Sequence, residues 1–252
     1  MALMVETSES QSALDETLKD VMSTLLFAGY DTTSTTLMYA LYLLANHPDI
    51  QDRCVKEVSR LDESNLSNPH NMPYIAAVVK ETLRLYPPGF QTTRTLSKDM
   101  VLSGGLVAPK GTHVSIPIWI IQRDPTIFPF PDEFRPERWV RKRSTTASTS
   151  TSDSNTGHWI ERNLEDEDEC HSPQNHTTKA GHPDAILAFS VGGRSCPGAK
   201  FAMQEAILLL GHLVKHLRFK PVPGFVLRME LQGILPGVAN GMPLRMERRM
   251  ET

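Results

Sequence analysis

Residues 189–198, FSVGGRSCPG, place a cysteine at the end of a glycine-rich turn. Gly192 and Gly193 allow a tight turn with positive φ. A helical pattern begins directly after the motif, so backbone N–H groups of the turn and of the helix N-terminus point toward the Cys196 sulfur. Arg194 adds a positive charge two residues away. A thiolate in such surroundings is a nucleophile or a metal ligand, whereas an isolated cysteine is most often a buried free thiol.

The composition around this motif is that of an ordinary globular chain. The 252 residues include 26 Lys and Arg against 29 Asp and Glu, a formal charge of −3 that does not fit a general nucleic-acid binder. Three cysteines exclude a disulfide scaffold. No apolar run approaches the ~18 residues of a membrane helix, and the first residues lack the pattern of a secretory signal. We therefore expect an intracellular, reduced, soluble chain with no membrane segment in it.

Helical spacing of apolar residues predicts four helices, and residues 1–12 are predicted to be frayed. The helices run over residues 13–45, from after Pro48 to about Leu61, from after Pro73 to before Pro87, and from about Ala199 to His216. Residues 64–72, rich in Ser, Asn and Pro, predict a loop between the second and third helices.

Short β-type runs interrupted by glycine and proline predict a small β region. These runs lie within residues 90–118, around Phe219, and within residues 226–231 and 244–246. Residues 124–139 carry four prolines and predict a compact irregular loop. Residues 141–182 are first rich in Ser and Thr and then acidic, which predicts a disordered surface insertion because little in them can be buried.

Two further motifs are ambiguous when each is considered alone. Glu81 and Arg84 are spaced i and i+3 on the third helix, and such pairs are most often solvated bridges worth under about 1 kcal/mol. Residues 28–33, AGYDTT, lie within the first helix, where glycine costs about 1 kcal/mol. Threonine hydroxyls can bond the i−4 carbonyl and loosen the turn, which admits water. The alternative for this motif is a helix–helix contact made by small residues.

The glycine-rich motif resembles the haem-ligand loop of the cytochrome P-450 superfamily, F-x-x-G-x-R-x-C-x-G. The fixed positions are matched by Phe189, Gly192, Arg194, Cys196 and Gly198. At about 5% usage per residue, a chance match in this chain is on the order of 1 in 10⁴. The resemblance implies that Cys196 is the iron ligand of haem b, that Arg194 pairs with a haem propionate, and that Phe189 packs beside the ring.

The same resemblance gives a role to the helix-borne pair. The family carries E-x-x-R in a helix and, downstream, a loop of the P-E-R-W type, matched here by Glu81, Arg84 and residues 136–139. The resemblance implies that Arg138 completes a buried cluster with this pair beneath the haem. A buried carboxylate needs such partners in order to be tolerated.

The resemblance also covers the first helix, through the pattern A/G-G-x-D/E-T. It implies that Ala28 and Gly29 leave room for O₂, that Thr32 hydrogen-bonds the oxygen and a water, and that Asp31 relays protons from solvent.

Two more positions follow the third helix. Arg94 fits a second propionate partner, with an exposed strand arginine as the alternative. Gln122 stands where many relatives have His, and its role stays open.

Taken together, the resemblance implies a mainly α chain with a small β region, an incomplete cytochrome P-450 fold. Residues 1–252 would be the C-terminal part of a single domain. The implied activity is haem-thiolate monooxygenation of a small lipophilic organic substrate, with electrons from an NADPH-dependent reductase. Full-length relatives commonly lie at the endoplasmic reticulum membrane, on its cytosolic face, but the compartment and the substrate of this chain stay open.

Three alternatives to this activity are open. The first is a catalytically inactive remnant of such an enzyme. The second is a haem-thiolate isomerase or dehydratase that uses no O₂, against which Asp31 and Thr32 speak. The third is a zinc module, whose ligand types are offered by Cys170, His171, His176 and His182. The spacing of these four residues matches no closed zinc finger.

Overall fold

The computed structural model describes residues 8–140, 186–232 and 235–249. The predicted insertion at 141–182 lies outside these residues, as do Cys170 and the three histidines near it.

Helices form about half of this structure. The α-helices are α1 (Ser8–Asn46), α2 (Pro48–Val58), α3 (Glu63–Leu66), α4 (Pro73–Leu85), α5 (Ile118–Ile121) and α6 (Ala199–His216). Short 3₁₀ turns lie at Pro69–Asn71, Ser103–Gly105, Pro136–Trp139 and Gly192–Arg194.

Two predictions about the helices are wrong in detail. The first helix begins at Ser8, inside the segment predicted to be frayed, and Glu9, Gln11 and Ala13 are residue types that propagate a helix well. The predicted loop at 64–72 instead contains α3 and a 3₁₀ turn. Side-chain caps explain the difference, because Asp62 accepts a hydrogen bond from the N–H of Asn65 at 2.8 Å and starts α3.

The strands pair as four separate antiparallel ladders. The strands are β1 (Thr92–Thr95), β2 (Met100–Val101), β3 (Val107–Ala108), β4 (His113–Ile116), β5 (Leu217–Pro221), β6 (Met229–Gln232), β7 (Leu235–Val238) and β8 (Leu244–Arg248). The pairs are β1–β4, β2–β3, β5–β8 and β6–β7. In the first ladder Arg94 of β1 pairs with Val114 of β4. The arginine therefore lies on a two-stranded antiparallel ribbon.

The core lies where the second half of α1 packs against α2, α4 and α6. Eleven of the thirteen residues of α4 are buried, so this helix runs through the centre of the packing. Helix α6 contributes one buried stripe, made of Met203, Ala206, Ile207, Leu210, Gly211 and Val214. None of the described helices is both long enough and apolar enough to cross a bilayer.

Candidate functional site

The cysteine loop is held by its own backbone. The N–H of Cys196 donates to the carbonyl of Phe189 at 2.8 Å, and the N–H of Ser195 donates to that of Gly192 at 2.9 Å. Gly192 has φ of +74°, and Ser190 accepts the left-handed region with φ of +61°. The loop leads straight into α6, and it leaves the Cys196 side chain exposed at the start of that helix.

A cavity separates this loop from α1. Cys196 and Phe189 lie on one wall and Thr32 on another, while Leu83 of α4 and Met203 of α6 contribute apolar surface. The cavity is partly open to solvent. Among the described residues no charged side chain lines it. The cavity therefore suits a largely apolar group that can meet a sulfur atom on one side.

The α1 wall of the cavity is made of threonines. The hydroxyl of Thr32 donates to the carbonyl of Ala28 at 2.7 Å, the i−4 bond that the sequence predicts. The hydroxyl of Thr36 does the same to Thr32 at 2.9 Å. A methyl group built on Gly29 would meet no atom within 4 Å, so this turn of the helix faces open space. Ala28, Gly29 and Asp31 do not line the cavity.

Thr33 carries a polar atom that the sequence analysis did not single out. It lines the same cavity and is 94% buried, yet its hydroxyl has no hydrogen-bond partner among the described residues. Because its neighbours Thr32 and Thr36 both bond the carbonyl one turn back, the unsatisfied hydroxyl is specific to this position. Buried polar groups are rarely left in this state.

The two predicted propionate partners lie outside the cavity lining, and so do Gly192 and Gly198. Arg94 is half-buried, and its Nη2 donates to the Ser190 hydroxyl at 3.1 Å, which ties β1 to the cysteine loop. Arg194 is exposed and makes no hydrogen bond or ion pair with any described residue.

The sequence matches the profile of cytochrome P450 over residues 1–240. The chain belongs to the cytochrome P450 family. It is 33% identical over 221 residues to probable cytochrome P450 4s3 of Drosophila melanogaster, a match that covers 88% of this chain and 37% of the fly protein. It is 30% identical over 237 residues to cytochrome P450 3A12 of Canis lupus familiaris, covering 92% and 40% of the two chains.

The fold is also that of a P450. The crystal structure of the cytochrome P450 CYP102L1 superposes with a TM-score of 0.66 at 22% identity, covering 90% of this chain and 44% of that one. The chain thus spans less than half the length of these P450 relatives. The predicted incomplete P450 fold, mainly α with a small β region, is confirmed.

The E-x-x-R pair of this P450 is completely buried. Arg84 donates two hydrogen bonds to the Glu81 carboxylate, from Nε to Oε2 at 2.9 Å and from Nη2 to Oε1 at 2.8 Å. Both side chains have 0% exposure. The predicted third member joins them, because Arg138 Nε donates to Glu81 Oε1 at 3.1 Å. Burial lowers the pKa of Arg138, and the Glu81 carboxylate opposes that shift.

Two further groups donate hydrogen bonds to the Glu81 carboxylate. The indole N–H of Trp139 donates to Oε2 at 2.8 Å, and the backbone N–H of Arg135 donates to Oε1 at 3.0 Å. Arg84 in turn donates to the backbone carbonyls of Gln122 at 3.0 Å and of Glu133 at 3.0 Å. Every charge in this cluster is therefore both paired and hydrogen-bonded, the condition under which burial is tolerated.

The residues present fit the haem that the family implies. Among the described residues no group of three or more His, Cys, Asp or Glu could hold a metal ion. The Cys196 sulfur on the cavity wall is thus a single donor, which suits a metal whose other ligands come from a macrocycle. The guanidinium of Arg194, which pairs with no described residue, suits the carboxylates of such a group. The open, apolar cavity supplies room for its ring.

Proposed function

We propose that this chain forms the haem-binding part of a cytochrome P450 domain and that the complete enzyme is a monooxygenase. One atom of O₂ enters a small lipophilic organic substrate, and the other leaves as water with two protons and two electrons. The electrons come from NADPH through a reductase. The observation that carries the proposal is the cavity, which Cys196 of the loop and Thr32 of α1 both line.

In the proposal, the chain's own residues hold and orient the haem. Cys196 supplies the thiolate ligand from the head of α6, and Phe189 covers the ring edge from the same loop. Arg194 pairs with a propionate. Arg94 stiffens the loop through its bond to Ser190 and takes the second propionate. When bound, haem with a thiolate ligand supplies the activation of O₂ and the cleavage of its O–O bond.

Proton delivery falls to α1 in this proposal. The Thr32 hydroxyl donates its hydrogen bond to the Ala28 carbonyl. The lone pairs of its oxygen can therefore accept a hydrogen bond from water in the cavity. Asp31 is half-buried beside it and passes protons inward from solvent. Gly29, one turn before this wall, has no atom within 4 Å of a built methyl group, so the space beside it is open.

The test uses the whole chain with haem added, because the two described cysteines form a matched pair. Cys54 is completely buried in the core, whereas Cys196 is exposed on the cavity wall. We expect the wild type and Cys54→Ser to give the thiolate-type spectrum of the reduced CO complex, and Cys196→Ser to lose it entirely. An unchanged spectrum in Cys196→Ser removes the assignment.

A second candidate is a haem-binding P450 part without turnover of its own. It is favoured by α1, in which residues 15–30 are exposed on all sides although many of them are apolar. In that case the thiolate-type spectrum appears, but NADPH and a reductase yield no oxygenated product from lipophilic probes such as fatty acids. Product formation by the chain alone decides against this candidate.

A further inference from the structure

Gln122 is a buried side chain to which neither the motifs nor the cavity assigns a role. Its exposure is 0%. Its amide nitrogen donates to the carbonyls of Leu83 and Arg84, both at 3.0 Å. Its amide oxygen accepts a hydrogen bond from the N–H of Leu187 at 2.8 Å. Both donors and an acceptor of one amide are thus used inside the protein.

These three bonds join two parts of the site. Leu83 and Arg84 lie in the last turn of α4, where carbonyls have no partner within the helix. Leu187 lies in the irregular segment that enters the cysteine loop. From there, the N–H of Ser190 donates to Leu187, and the N–H of Cys196 donates to Phe189, each at 2.8 Å. A short series of hydrogen bonds therefore runs from α4 through Gln122 to the backbone of Cys196.

We propose that Gln122 is a positioning residue for Cys196, holding the cysteine loop at a fixed distance from α4 through a bridge that carries no charge. What the loop is positioned for rests on the proposed haem function. The bridge itself does not, because its bonds are made by protein groups alone.

The chemistry of the amide explains why glutamine suits this place. A neutral imidazole offers one donor and one acceptor, so it can serve Leu187 and only one of the two α4 carbonyls. A protonated imidazole offers two donors and no acceptor, so it leaves the Leu187 N–H without a partner. Gln122 serves all three groups and does so at every pH.

The chain contains a matched control in Gln51. This glutamine is 98% buried, and its amide nitrogen donates to the carbonyls of Leu44 and Phe219, both at 2.9 Å. Its amide oxygen accepts from the N–H of Phe219 at 2.9 Å. It makes the same kind of bridge between α1 and β5, with one more bond accepted from Arg249 Nη2 at 3.2 Å, and it does not reach the cysteine loop.

The experiment measures amide exchange, residue by residue, in the haem-free chain. In Gln122→Met, which keeps the side-chain length but removes the bonds, we expect exchange at Leu187 to rise by about tenfold or more, with a similar rise at Cys196. The amides of Leu210 and Val214 in α6 serve as the internal reference and keep their protection. Gln51→Met raises exchange at Phe219 and leaves the cysteine loop as in the wild type.

A second variant tests the uncharged character of the bridge and remains informative if Gln122→Met does not fold. In Gln122→His, protection of Leu187 and Cys196 should fall as the pH drops through the imidazole pKa, while the wild type stays level from about pH 8 to pH 5.

The charges around the substituted ring set the expected midpoint. Arg84 donates to the backbone carbonyl of residue 122, and Arg123 is its neighbour in the chain. The Glu81 carboxylate forms an ion pair with Arg84, and Asp132 Oδ1 lies 3.5 Å from Arg123 Nε. Residues 186–190 bring no charge. Two arginines close to the ring place the midpoint below about 6.5.

Two results overturn the inference. One is a Cys196 amide that keeps wild-type protection in both Gln122 variants, since the bridge would then end at Leu187. The other is a cysteine loop that loosens equally in Gln51→Met, which would make the effect one of general stability. If the exchange results hold and the chain takes up no haem, the bridge stands and the proposed function fails.

With haem bound, the thiolate-type spectrum gives an independent measurement. In Gln122→His its intensity should decline with falling pH in parallel with the exchange, and raising the pH should restore it. Wild type and Gln51→His should keep a constant intensity over the same range. A spectrum of Gln122→His that is independent of pH, in a variant whose exchange does respond, separates the loop from the ligand and refutes the positioning role.

Discussion

Residues 15–30 of α1 are exposed on every side, whereas Tyr39, Ala40 and Leu44 of the same helix are completely buried. Both halves are rich in apolar residues, and both are helical. What differs is the neighbours, because α4, α6 and β5 pack only against the second half. Local sequence is thus enough to form the helix, but its burial depends on the elements that cover it.

The cavity lies at the boundary between these two halves. Thr32 is half-buried, and Thr33 and Thr36 are the first fully buried positions of the helix. The charges of the Glu81 cluster are paired with one another, and the apolar side chains of the packed half of α1 are buried. The residues that line the cavity include the Thr33 hydroxyl, which has no hydrogen-bond partner among the described residues, and the Cys196 thiol. The cluster and the core thus have their polar and apolar groups accommodated within the protein, whereas the cavity leaves space where a ligand would bind.

The largest effect should come from the Glu81 cluster. Glu81→Gln leaves the buried guanidinium of Arg84 without its counter-charge, which costs about 3–5 kcal/mol of unfolding free energy. We expect the variant to be largely unfolded in urea titrations followed by circular dichroism. Glu133→Gln makes the same change of charge at an exposed side chain and should be near neutral. Similar unfolding curves for the two variants would contradict the packing described here.

A pair of leucines compares the two halves of α1 directly. Leu44 is 0% exposed and Leu26 is 70% exposed. Leu44→Ala should lower the unfolding free energy by about 2–5 kcal/mol, since it leaves a cavity in the core. Leu26→Ala should change it by less than about 0.5 kcal/mol. Equal losses measured by urea denaturation would mean that the first half is covered in solution, by a second copy or another partner.

Alkaline pH should also distinguish the two halves. Burial, with Tyr86 alongside, raises the pKa of Tyr39 from 10.0 to about 12. An unfolded tyrosine releases its proton near pH 10, so between pH 10 and 12 the unfolded state binds fewer protons and the unfolding free energy falls as pH rises. The loss is at most about 2.7 kcal/mol, the equivalent of two pKa units. Tyr39→Phe should flatten this fall, and Tyr30→Phe, on the exposed half, should leave it unchanged.

The smallest effect concerns the turn before the cysteine. Gly192 has φ of +74°, whereas its neighbour Gly193 has an ordinary backbone, and neither has an atom within 4 Å of a built methyl group. Gly192→Ala should therefore cost roughly 1 kcal/mol through backbone strain alone. Gly193→Ala should cost nothing or stabilise slightly. Urea unfolding of both variants gives the comparison, and a larger loss for Gly193→Ala would contradict the turn.

Much of the fold could be predicted because its signals are local. Helix α6 begins at Ala199 and ends at His216 as the pattern after the glycine-rich loop predicts. The start of α1 could not, since a polar helical turn without apolar periodicity gives no such signal. The turns at 62–71 were missed because their caps depend on single side chains such as Asp62.

The site could be predicted only where a motif names its members. Glu81, Arg84 and Arg138 were brought together by a family pattern. Trp139 belongs to the same motif, but no pattern indicated that its indole, or the backbone amide of Arg135, bonds Glu81. Thr33 has the same residue type as its neighbours, so its unsatisfied hydroxyl is visible only in the packed structure.

Helix α6 begins three residues after the exposed thiol and continues directly into the core, with Met203 on the cavity and Leu210 and Val214 fully buried. A rigid rod of this kind turns any repacking at its far end into a displacement at the sulfur. Amino-acid replacements in the interior can therefore shift the Cys196 sulfur, the iron ligand of the proposed function, without touching the loop. Under that proposal, sequence drift in the core and adjustment of the haem site would be coupled through α6.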